Sequence, residues 1–375
     1  MTRVTIALPR SSYDAVIEGG LLEQVGDRLR EILLGVPASS PASCEGKALF
    51  VVTVPPVRRR WGKKLARSLL AAGFTPGFIE MRDGEGHKKL ATVEELGEKL
   101  MRLGADRNAL IVAFGGGVVG DVAGLLASLY MRGVDVVQIP TTVQAQLDAA
   151  IGGKTGVNLR TGKNLLGTFH QPLAVLVDPA VLSTLPEREF RAGLYEALKC
   201  GVIGKPALFE RLEKIQLRAL RRDAAALEWV IAESVRLKAE VVSSDEREGG
   251  LRRVLNFGHT VGHALEAESG YRRFLHGEAV GWGMIAATHI AAATGRVDGA
   301  LASRISAAVL NFGKLPRVEA RSRDILRLLQ GDKKTRGGVV HFVLPREIGK
   351  VEIVNDVPDK IIVEAVNELR LLSKA

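Results

Sequence analysis

Residues 109–171 constrain the fold of this chain more than any other stretch. An apolar, β-rich run from Ala109 to Phe114 stops at three glycines, and a helical pattern follows from Val118 to Met131. A second apolar run, Val134 to Ile139, ends at Pro140 before a long polar loop. A strand, a glycine turn, a helix and a second strand are typical of a βαβ unit in a parallel sheet. Backbone N–H groups and the helix dipole favour a phosphate at such a turn.

Two motif tests near this turn give partial matches. Gly115, Gly117 and Gly120 satisfy the G-x-G-x-x-G pattern. The acidic residue expected about 20 residues later is Asp135, which begins a strand instead of ending one. Glycines needed only for tight packing are therefore the alternative to a phosphate site. The segment DAAIGGKT has Asp148 where a P-loop requires glycine, which argues against an NTPase of that type.

Composition narrows the class of protein. With 375 residues, of which 46% are hydrophobic and 25% charged, the chain is long enough for two globular domains. Two cysteines and an N-terminus without a signal-peptide pattern predict a cytoplasmic protein. The apolar stretch from Ala279 to Ala293 is short for a bilayer span, so we expect no membrane partner. The net charge of +10 suggests nucleic acid, but the basic residues are dispersed and no recognition motif occurs, so we expect no nucleic-acid partner.

Hydrophobic periodicity predicts two domains. Strands alternate with helices over residues 1–179, which predicts a doubly wound α/β domain, with residues 36–47 as a loop. Residues 180–375 are predicted to be mainly helical, with strands only at Val339–Leu344 and Val351–Val354. Because ligands of such proteins bind at the carboxyl ends of the strands, we expect the active site in the cleft between the domains. The helices predicted in the second domain are 186–200, 207–215, 224–242, 252–269, 278–294, 300–312 and 325–329.

Histidines and a glutamate of the second domain have the composition of a metal site. His259 and His263 are four residues apart, on one face of a predicted helix, and His276 follows in HGE. The segment YEALKC puts Glu196 and Lys199 on one face of an earlier helix. A glutamate with two or three histidines suits a catalytic zinc with an open position, although a single histidine is more often structural. Spacing alone favours His259 and His263 as the ligand pair.

Taken together, these segments resemble the 3-dehydroquinate synthase family of sugar phosphate cyclases. The matching segments, in the family's order and spacing, are GGGVVGDVAG, YMRG, QIPTT, DAAIGGKTGVN, GKN, LPEREFRAGLYEALK, DEREGGLRRVLNFGHT and HGEAV. The resemblance implies a Rossmann-like, doubly wound parallel-sheet domain followed by a mainly α-helical domain. It also implies a homodimer and, as cofactors, NAD and Zn²⁺ or Co²⁺.

The resemblance implies a reaction as well. The substrate would be 3-deoxy-D-arabino-heptulosonate 7-phosphate, and the products 3-dehydroquinate and phosphate, in the shikimate pathway to chorismate and the aromatic amino acids. NAD would be reduced transiently, phosphate would leave by β-elimination, and the carbocycle would close by an intramolecular aldol step. One alternative is a cyclase acting on a heptulose phosphate without a carboxylate. A second is a glycerol or iron-dependent alcohol dehydrogenase, which would accumulate NADH.

Site residues follow from the matching positions. The resemblance assigns the metal to Glu196, His259 and His276, and therefore assigns His263 to the substrate. The positions it assigns to the cofactor are Glu85, Lys88, Gly115, Gly116, Gly117, Asp121, Thr141, Thr142, Asp148, Lys154, Lys163, Thr184, Leu185 and Glu189. The catalytic and substrate positions are Asp148, Lys154, Lys163, Asn164, Lys199, Lys238, Arg252, Asn256, His263, one of Lys333 and Lys334, and Arg132, which would enter the partner subunit's site.

One position departs from the family pattern. The family usually carries Asp or Asn after the strand that ends VT, where this residue holds the adenine ribose. Here the segment VTVPP places Val54 and Pro56 at that point. The ribose would lose a charge-assisted hydrogen bond worth about 1.5–3 kcal/mol, unless Glu85 or a water compensates. We therefore expect a change in the affinity for NAD and not in the identity of the cofactor.

Overall fold

Short apolar strands form the centre of the first part of the chain. The computed structural model describes residues 1–9, 11–35, 48–335 and 340–374, without the side chains of 332–335. The predicted loop at 36–47 lies outside the described residues. Nine strands belong to this part: β1 Thr2–Ile6, β2 Tyr13–Ile17, β3 Leu49–Thr53, β4 Pro76–Glu80, β5 Leu110–Gly115, β6 Asp135–Pro140, β7 Val157–Leu159, β8 Gly162–Leu166 and β9 Ala174–Val177.

Seven of these strands form one sheet in the order β1-β2-β9-β6-β5-β3-β4. All neighbouring strands run parallel except β1 and β2, which are antiparallel. Every residue of β3 and β5 is buried, as expected where helices cover both faces of a parallel sheet. Strands β7 and β8 pair with each other in a separate antiparallel hairpin. This hairpin lies in the segment predicted to be a long loop, so that prediction is wrong for residues 157–166.

Helices make up most of the remaining structure. In chain order they are α1 Val25–Leu34, α2 Pro55–Val57, α3 Lys63–Ala71, α4 Leu90–Arg102, α5 Gly117–Leu129, α6 Glu187–Gly204, α7 Pro206–Leu212, α8 Leu217–Arg222, α9 Ala224–Ser244, α10 His259–Glu268, α11 His276–Ala293, α12 Gly299–Asn311, α13 Ser322–Thr335 and α14 Asp359–Leu372. A two-stranded sheet, β10 Phe342–Glu347 with β11 Lys350–Val354, precedes α14. No helix among the described residues is both long and apolar enough to cross a membrane.

The chain divides into two compact units. The first contains Met1–Leu185 with Ala224–Ser243, and the second contains Pro186–Asp223 with Ser244–Ala375. Helix α9 therefore groups with the sheet, although it follows residue 180. In the first unit, α4 and α5 pack on the sheet through an apolar core that includes Leu96, Ile111 and Val122. This packing fixes the end of β5 and the start of α5, which carry the glycine turn.

Glycines allow the helices of the second unit to pack closely. A Cβ on Gly277 would lie 1.8 Å from Ala192 O of α6, and one on Gly283 would lie 1.7 Å from Gly258 O. Since a real Cβ cannot approach that closely, only glycine permits α11 to lie against α6 and the start of α10. The close packing brings the first residue of α10 and the first residue of α11 towards α6.

The predicted helix over 252–269 is wrong in its first part. Residues Leu251–Asn256 form a 3₁₀ helix, and Gly258 takes a left-handed conformation (φ 79°) directly before α10. This glycine ends one turn and starts the next helix, which the apolar pattern alone does not reveal. Helix α14 was not predicted either. The fold class, an α/β protein with a parallel sheet and a mainly helical second part, is confirmed.

Candidate active site

The turn between β5 and α5 contains Gly115, Gly116 and Gly117. Gly116 precedes the helix in an extended conformation (φ −74°, ψ −175°), and no described side chain caps the helix there. A Cβ on Gly115 would lie 2.5 Å from Val119 Cγ2, whereas one on Gly117 has Ala149 Cβ, at 3.4 Å, as its nearest neighbour. Packing therefore requires glycine at position 115 but not at 117. Gly117 leaves the N-terminus of α5 open, where a phosphate binds well.

A buried lysine joins this turn to the β7–β8 hairpin. Lys88 Nζ donates to Asp121 Oδ2 in α5 and to Asn164 Oδ1 in β8. Asn164 is left-handed (φ 55°), and its N–H donates to Asn158 Oδ1 at 2.9 Å. Asn158 Nδ2 in turn donates to Glu85 Oε1 at 2.8 Å. The structure thus brings together five predicted site residues, namely Glu85, Lys88, Asp121, Asn164 and Lys163, whose Nζ is 3.9 Å from Glu85 Oε1.

Two further predicted residues meet where a π-helical turn contacts α9. Lys238 Nζ donates to both Asp148 Oδ1 and Asp148 O at 2.6 Å. Lys238 is buried on α9, and Asp148 lies in the turn Ala145–Ala149. Burial raises the pKa of the neighbouring carboxyl of Asp121, although Lys88 and Lys238 act in the opposite direction. Lys88 and Lys238 are therefore both held by oxygen partners.

Threonines after β6 complete the carboxyl edge of the sheet. The Thr141 N–H donates to Gly115 O at 2.9 Å. Thr142 Oγ1 accepts from the Ala145 N–H at 3.2 Å, and Thr142 Cγ2 would lie 3.0 Å from a Cβ on Gly116. Both predicted threonines therefore adjoin the glycine turn.

The other predicted positions lie on separate elements. Exposed Lys154 forms an isolated bridge with Phe169. The carbonyl of Thr184 accepts from Arg60 Nη1 at 3.0 Å, and the next residue is Leu185. Exposed Arg132 (φ 70°) lies in a 3₁₀ helix after α5. Glu189 is exposed in the first turn of α6, which belongs to the second unit.

Three imidazoles and a carboxylate converge in the second unit. The ligating atoms of His259, His263 and His276 lie within 4.8 Å of one another. Glu196 Oε1 is 3.6 Å from His259 Nε2 and 3.3 Å from His276 Nε2. Glu196 Oε2 is 2.5 Å from Lys199 Nζ. The cluster contains both the pair favoured by spacing and the set Glu196, His259 and His276 implied by the resemblance, and both ligand sets stay predictions.

The Glu196 carboxylate fits a metal ligand. It is fully buried, yet neither oxygen accepts a hydrogen bond of acceptable geometry from a described residue, despite the short ion-pair distances. Lys199 Nζ, 2.5 Å away, compensates the buried charge, and the carboxylate oxygens keep lone pairs that a metal can use. Carboxylate oxygen and imidazole nitrogen are donors that Zn²⁺ takes, and three protein ligands leave an open position. The residues present therefore suit a divalent metal.

Charges set the protonation of the cluster. Burial raises the pKa of Glu196, but Lys199 and the two histidines outweigh it and hold that pKa well below its usual value. Burial and Lys199 lower the pKa of His259 well below its usual value, so its imidazole is neutral. Burial also opposes protonation of His276, but Glu196 and Glu266 outweigh it and raise its pKa to about 10.

Each of these two histidines has a partner on its other ring nitrogen. His259 Nδ1 lies 3.1 Å from Phe257 O, and His276 Nδ1 lies 3.1 Å from Glu266 Oε2. Such partners orient an imidazole towards a metal and fix its tautomer. Glu266 is absent from the sequence-based assignments. Its place three residues after His263, on the same helix face, is the signal that could have identified it.

Asn158 is the other residue that the sequence did not single out. It links the Glu85 turn to Asn164, as described above, and its own N–H donates to Lys88 O at 2.8 Å. Its place at the end of the segment DAAIGGKTGVN, in a stretch taken for a loop, gave no structural signal. Only the hairpin makes its role visible.

A tight loop holds Arg252 in the second unit. Arg252 Nη1 donates to Glu246 O at 2.5 Å, and its N–H donates to Asp245 Oδ2 at 2.9 Å. Asn256 Nδ2 donates to Glu248 Oε1 at 3.2 Å. Hydrogen bonds from the backbone of Arg252 and two glycines lower the pKa of Asp245. Lys333 and Lys334 fall on α13, but their side chains lie outside the described residues.

The fold and these clusters define a sugar phosphate cyclase. The chain is similar over 98% of its length to the 2-epi-5-epi-valiolone synthase ValA from Streptomyces hygroscopicus subsp. jinggangensis, solved with NAD⁺ and Zn²⁺, with 32% identity and a TM-score of 0.85 over 99% of that chain. A probable glycerol dehydrogenase from Sinorhizobium meliloti, with 17% identity and a TM-score of 0.59 over 95% of this chain and 96% of that one, shares the fold alone.

The family within this class is also defined. Family models described as 3-dehydroquinate synthase N-terminal and 3-dehydroquinate synthase C-terminal match residues 78–192 and 193–335. The 3-dehydroquinate synthase of Koribacter versatilis is 53% identical over 100% of this chain and 99% of its own length. That of Solibacter usitatus is 47% identical over 98% and 99%. The chain belongs to the 3-dehydroquinate synthase family, and the resemblance found in the sequence is confirmed.

Proposed function

We propose that this chain is a 3-dehydroquinate synthase that converts 3-deoxy-D-arabino-heptulosonate 7-phosphate into 3-dehydroquinate and phosphate. The observation that carries the proposal is the buried Glu196 carboxylate, which lacks a hydrogen bond of acceptable geometry and lies among imidazoles in a chain of this family. The alternative, a cyclase for a substrate without a carboxylate, is not favoured. The 3-dehydroquinate synthases reach 53% identity, whereas the valiolone synthase reaches 32%.

Glu196, His259 and His276 would hold the metal, which we propose to be Zn²⁺ or Co²⁺. ValA was solved with Zn²⁺ and a 2-deoxy-scyllo-inosose synthase with Co²⁺. A bound divalent metal supplies Lewis acidity towards a substrate hydroxyl. The surrounding residues would prepare the ligands: Glu266 orients His276, and the lowered pKa of His259 keeps its imidazole neutral, so that it can bind the metal.

The glycine turn and the residues around it would hold NAD. ValA and the inosose synthase were both solved with NAD⁺. The open start of α5 suits the pyrophosphate, and the Lys88 network fixes the hairpin next to it. When bound, NAD⁺ would accept a hydride from the substrate and return it within the same turnover. The further cofactor positions proposed are Glu85, Asp121, Thr141, Thr142, Asp148, Lys154, Lys163, Thr184, Leu185 and Glu189.

The substrate carries a phosphate and a carboxylate, so it requires several cations. We assign Lys154, Lys163, Asn164, Lys199, Lys238 and His263 to the phosphate side of the substrate. Arg252 and Asn256 would bind its carboxylate. Most of these cations are held in place by the protein, as for Lys238 with Asp148 and Arg252 with Glu246 O. Because the ammonium and guanidinium groups are fixed before the substrate binds, they orient it at a small entropic cost.

We also propose that the protein is a cytoplasmic homodimer. Its support is the exposed Arg132, in a segment where Met131 and Arg132 have positive φ (49° and 70°) although neither is glycine. Such a conformation costs free energy and is retained where it serves a function. Size-exclusion chromatography with light scattering would test the dimer, and a monomeric mass at assay concentration would contradict it.

The test of the function is phosphate release from 3-deoxy-D-arabino-heptulosonate 7-phosphate with NAD⁺ and Zn²⁺, while NADH absorbance is followed. Phosphate release without net NADH, abolished by EDTA and restored by Zn²⁺, is the expected result. Turnover of sedoheptulose 7-phosphate alone would move the chain to the other cyclases, and steady accumulation of NADH would indicate a dehydrogenase. Arg252→Ala should raise the KM for the substrate far more than the KM for NAD. An equal rise in both would contradict its assignment to the carboxylate.

A further inference from the structure

The residue that follows β3 is level with the glycine turn. Strands β3 and β5 are parallel neighbours, and Thr53 is aligned with Phe114. Val54 is therefore aligned with Gly115, one strand spacing of about 4.8 Å away. In dinucleotide-binding folds an acidic residue that follows this neighbouring strand accepts hydrogen bonds from the ribose 2′-hydroxyl, and an arginine nearby takes a 2′-phosphate instead.

Val54 cannot play the acidic role. It is 4% exposed and precedes α2 in an extended conformation, and the next two residues are prolines, which have no N–H. The acidic residue at the end of β4, Glu80, is paired with Arg58, whose Nη1 is 3.4 Å from Glu80 Oε1 in a solvent-exposed ion pair. The segment after β3 is cationic, since Arg58, Arg59 and Arg60 begin four residues after Val54.

Arg60 lies at a second part of the proposed dinucleotide site. Its Nη1 donates to Thr184 O at 3.0 Å. Thr184 and Leu185 are among the positions that we assign to the dinucleotide. A guanidinium has several N–H donors, and this hydrogen bond uses one of them. Arginine binds phosphate with paired, charge-assisted hydrogen bonds. Arg60 therefore brings a cation that can bind phosphate to the Thr184 part of the proposed site.

We propose that the dinucleotide site of this chain does not discriminate against a 2′-phosphate, so that it binds NADP⁺ as well as NAD⁺, with Arg60 contacting the added phosphate. The inference rests on the proposed function, because it uses the dinucleotide site at the glycine turn. A carboxylate about 4 Å from the 2′-phosphate would weaken NADP⁺ by up to roughly a thousandfold. No such carboxylate follows β3 here, and Glu85 already accepts from Asn158 Nδ2 and lies 3.9 Å from Lys163 Nζ. The two dissociation constants should therefore agree within about tenfold.

Isothermal titration calorimetry of the full-length protein with NAD⁺ and with NADP⁺ tests the inference without measuring turnover. Dissociation constants within about tenfold of each other are expected. Binding of NAD⁺ together with NADP⁺ binding more than about a hundredfold weaker would overturn the inference and leave the proposed function intact. If the folded protein binds neither dinucleotide, the proposed cofactor site is wrong, and the inference is wrong with it.

A substitution of Arg60 tests whether this residue contacts the 2′-phosphate of NADP⁺. Arg60→Ala should raise the Kd for NADP⁺ about tenfold more than the Kd for NAD⁺. Arg67→Ala is the matched control, because it removes the same charge from α3, where Arg67 acts on Glu23. Equal weakening of both dinucleotides by Arg60→Ala would contradict the role of Arg60.

The converse substitution restores an acid after β3. Val54→Asp should weaken NADP⁺ about a hundredfold relative to NAD⁺. Aspartate is favoured before the first turn of a helix, which is the backbone position of Val54. If this buried substitution prevents folding, the comparison of the two dinucleotides on the unaltered protein and on the Arg60→Ala and Arg67→Ala variants still decides the question.

Discussion

Two substitutions in the glycine turn separate packing from ligand binding. In Gly115→Ala the new Cβ would lie 2.5 Å from Val119 Cγ2 and 2.7 Å from Val119 Cβ. Overpacking of this kind costs about 1–3 kcal/mol, because Val119 is buried and cannot move without disturbing the core. In Gly117→Ala the new Cβ would meet Ala149 Cβ at 3.4 Å, an ordinary van der Waals distance. Alanine is also the better helix former by at most about 1 kcal/mol.

Gly115→Ala should therefore affect mainly thermal stability, and Gly117→Ala mainly the affinity for NAD⁺. Gly115→Ala should lower the Tm, measured by circular dichroism, by about 2–10 °C. Gly117→Ala should keep or raise the Tm, but weaken NAD⁺ about 10–100-fold in calorimetry, since its methyl group occupies the approach of the pyrophosphate. A Gly117→Ala variant that binds NAD⁺ normally would refute the phosphate role of the turn. An unchanged Tm for Gly115→Ala would refute the packing argument.

A second substitution checks the cause of the Gly115→Ala loss. Val119→Ala removes Cγ1 and Cγ2, which lie 3.0 and 2.5 Å from the added Cβ, but leaves Val119 Cβ at 2.7 Å. The double variant should therefore recover part of the stability, with a coupling free energy of about 0.5–1 kcal/mol. Strict additivity of the two single effects would show that the clash with Val119 is not the cause.

Three further predictions concern residues that support the clusters. Glu266→Gln should weaken Zn²⁺ binding about 10–100-fold, measured in competition with a chelator, because Glu266 contacts His276 Nδ1. Glu268→Gln, at an exposed position, is the control. Equal Zn²⁺ affinity of the two variants would exclude an orienting role for Glu266. Asp245, whose pKa is held below its usual 3.8, should stabilise the protein above about pH 4 and lose that effect as the pH falls through the lowered pKa. The difference in urea unfolding between the unaltered protein and Asp245→Asn should thus be full at pH 6 and shrink progressively as the pH falls below about 4, and a constant difference would contradict this. Asn158→Ala should weaken NAD⁺ roughly tenfold by releasing Asn164 and Glu85, whereas Asn108→Ala, in an exposed loop, should not.

The sequence predicted the sheet unit well because local signals there agree with each other. The apolar runs of β3, β5 and β6 are buried on both sides, so their composition alone identifies them as strands. The β7–β8 hairpin was missed because its second strand, Gly162–Leu166, is half-buried or exposed and begins with glycine. Asn164 of β8 is held by hydrogen bonds with Lys88, which is distant in sequence, and with Asn158 of β7, which no sequence pattern singled out. No local pattern carries that information.

The sequence pointed to the residues of the candidate metal site, but not to how the fold brings them together. Spacing placed His259 and His263 on one face, and the structure places Glu196 and His276 with them. The contact of α11 with α6 and with the start of α10 depends on Gly277 and Gly283, whose need for close approach cannot be read from one sequence. The position of Glu266, three residues after His263, was visible in the sequence, but its contact with His276 Nδ1, at 3.1 Å, appears only in the fold.

The cations of both units follow one physical rule. Lys88 is held by Asp121, Lys199 by Glu196 and Lys238 by Asp148, and each of these lysines is buried. The carboxylate beside each ammonium group offsets the cost of burying its charge. Such a pair is close to neutral and adds little to the long-range field of the protein. The net charge of +10 therefore arises mainly from residues outside these pairs, whereas the buried lysines are held in fixed positions in the proposed site. Total charge does not predict function here, because it does not distinguish these two populations.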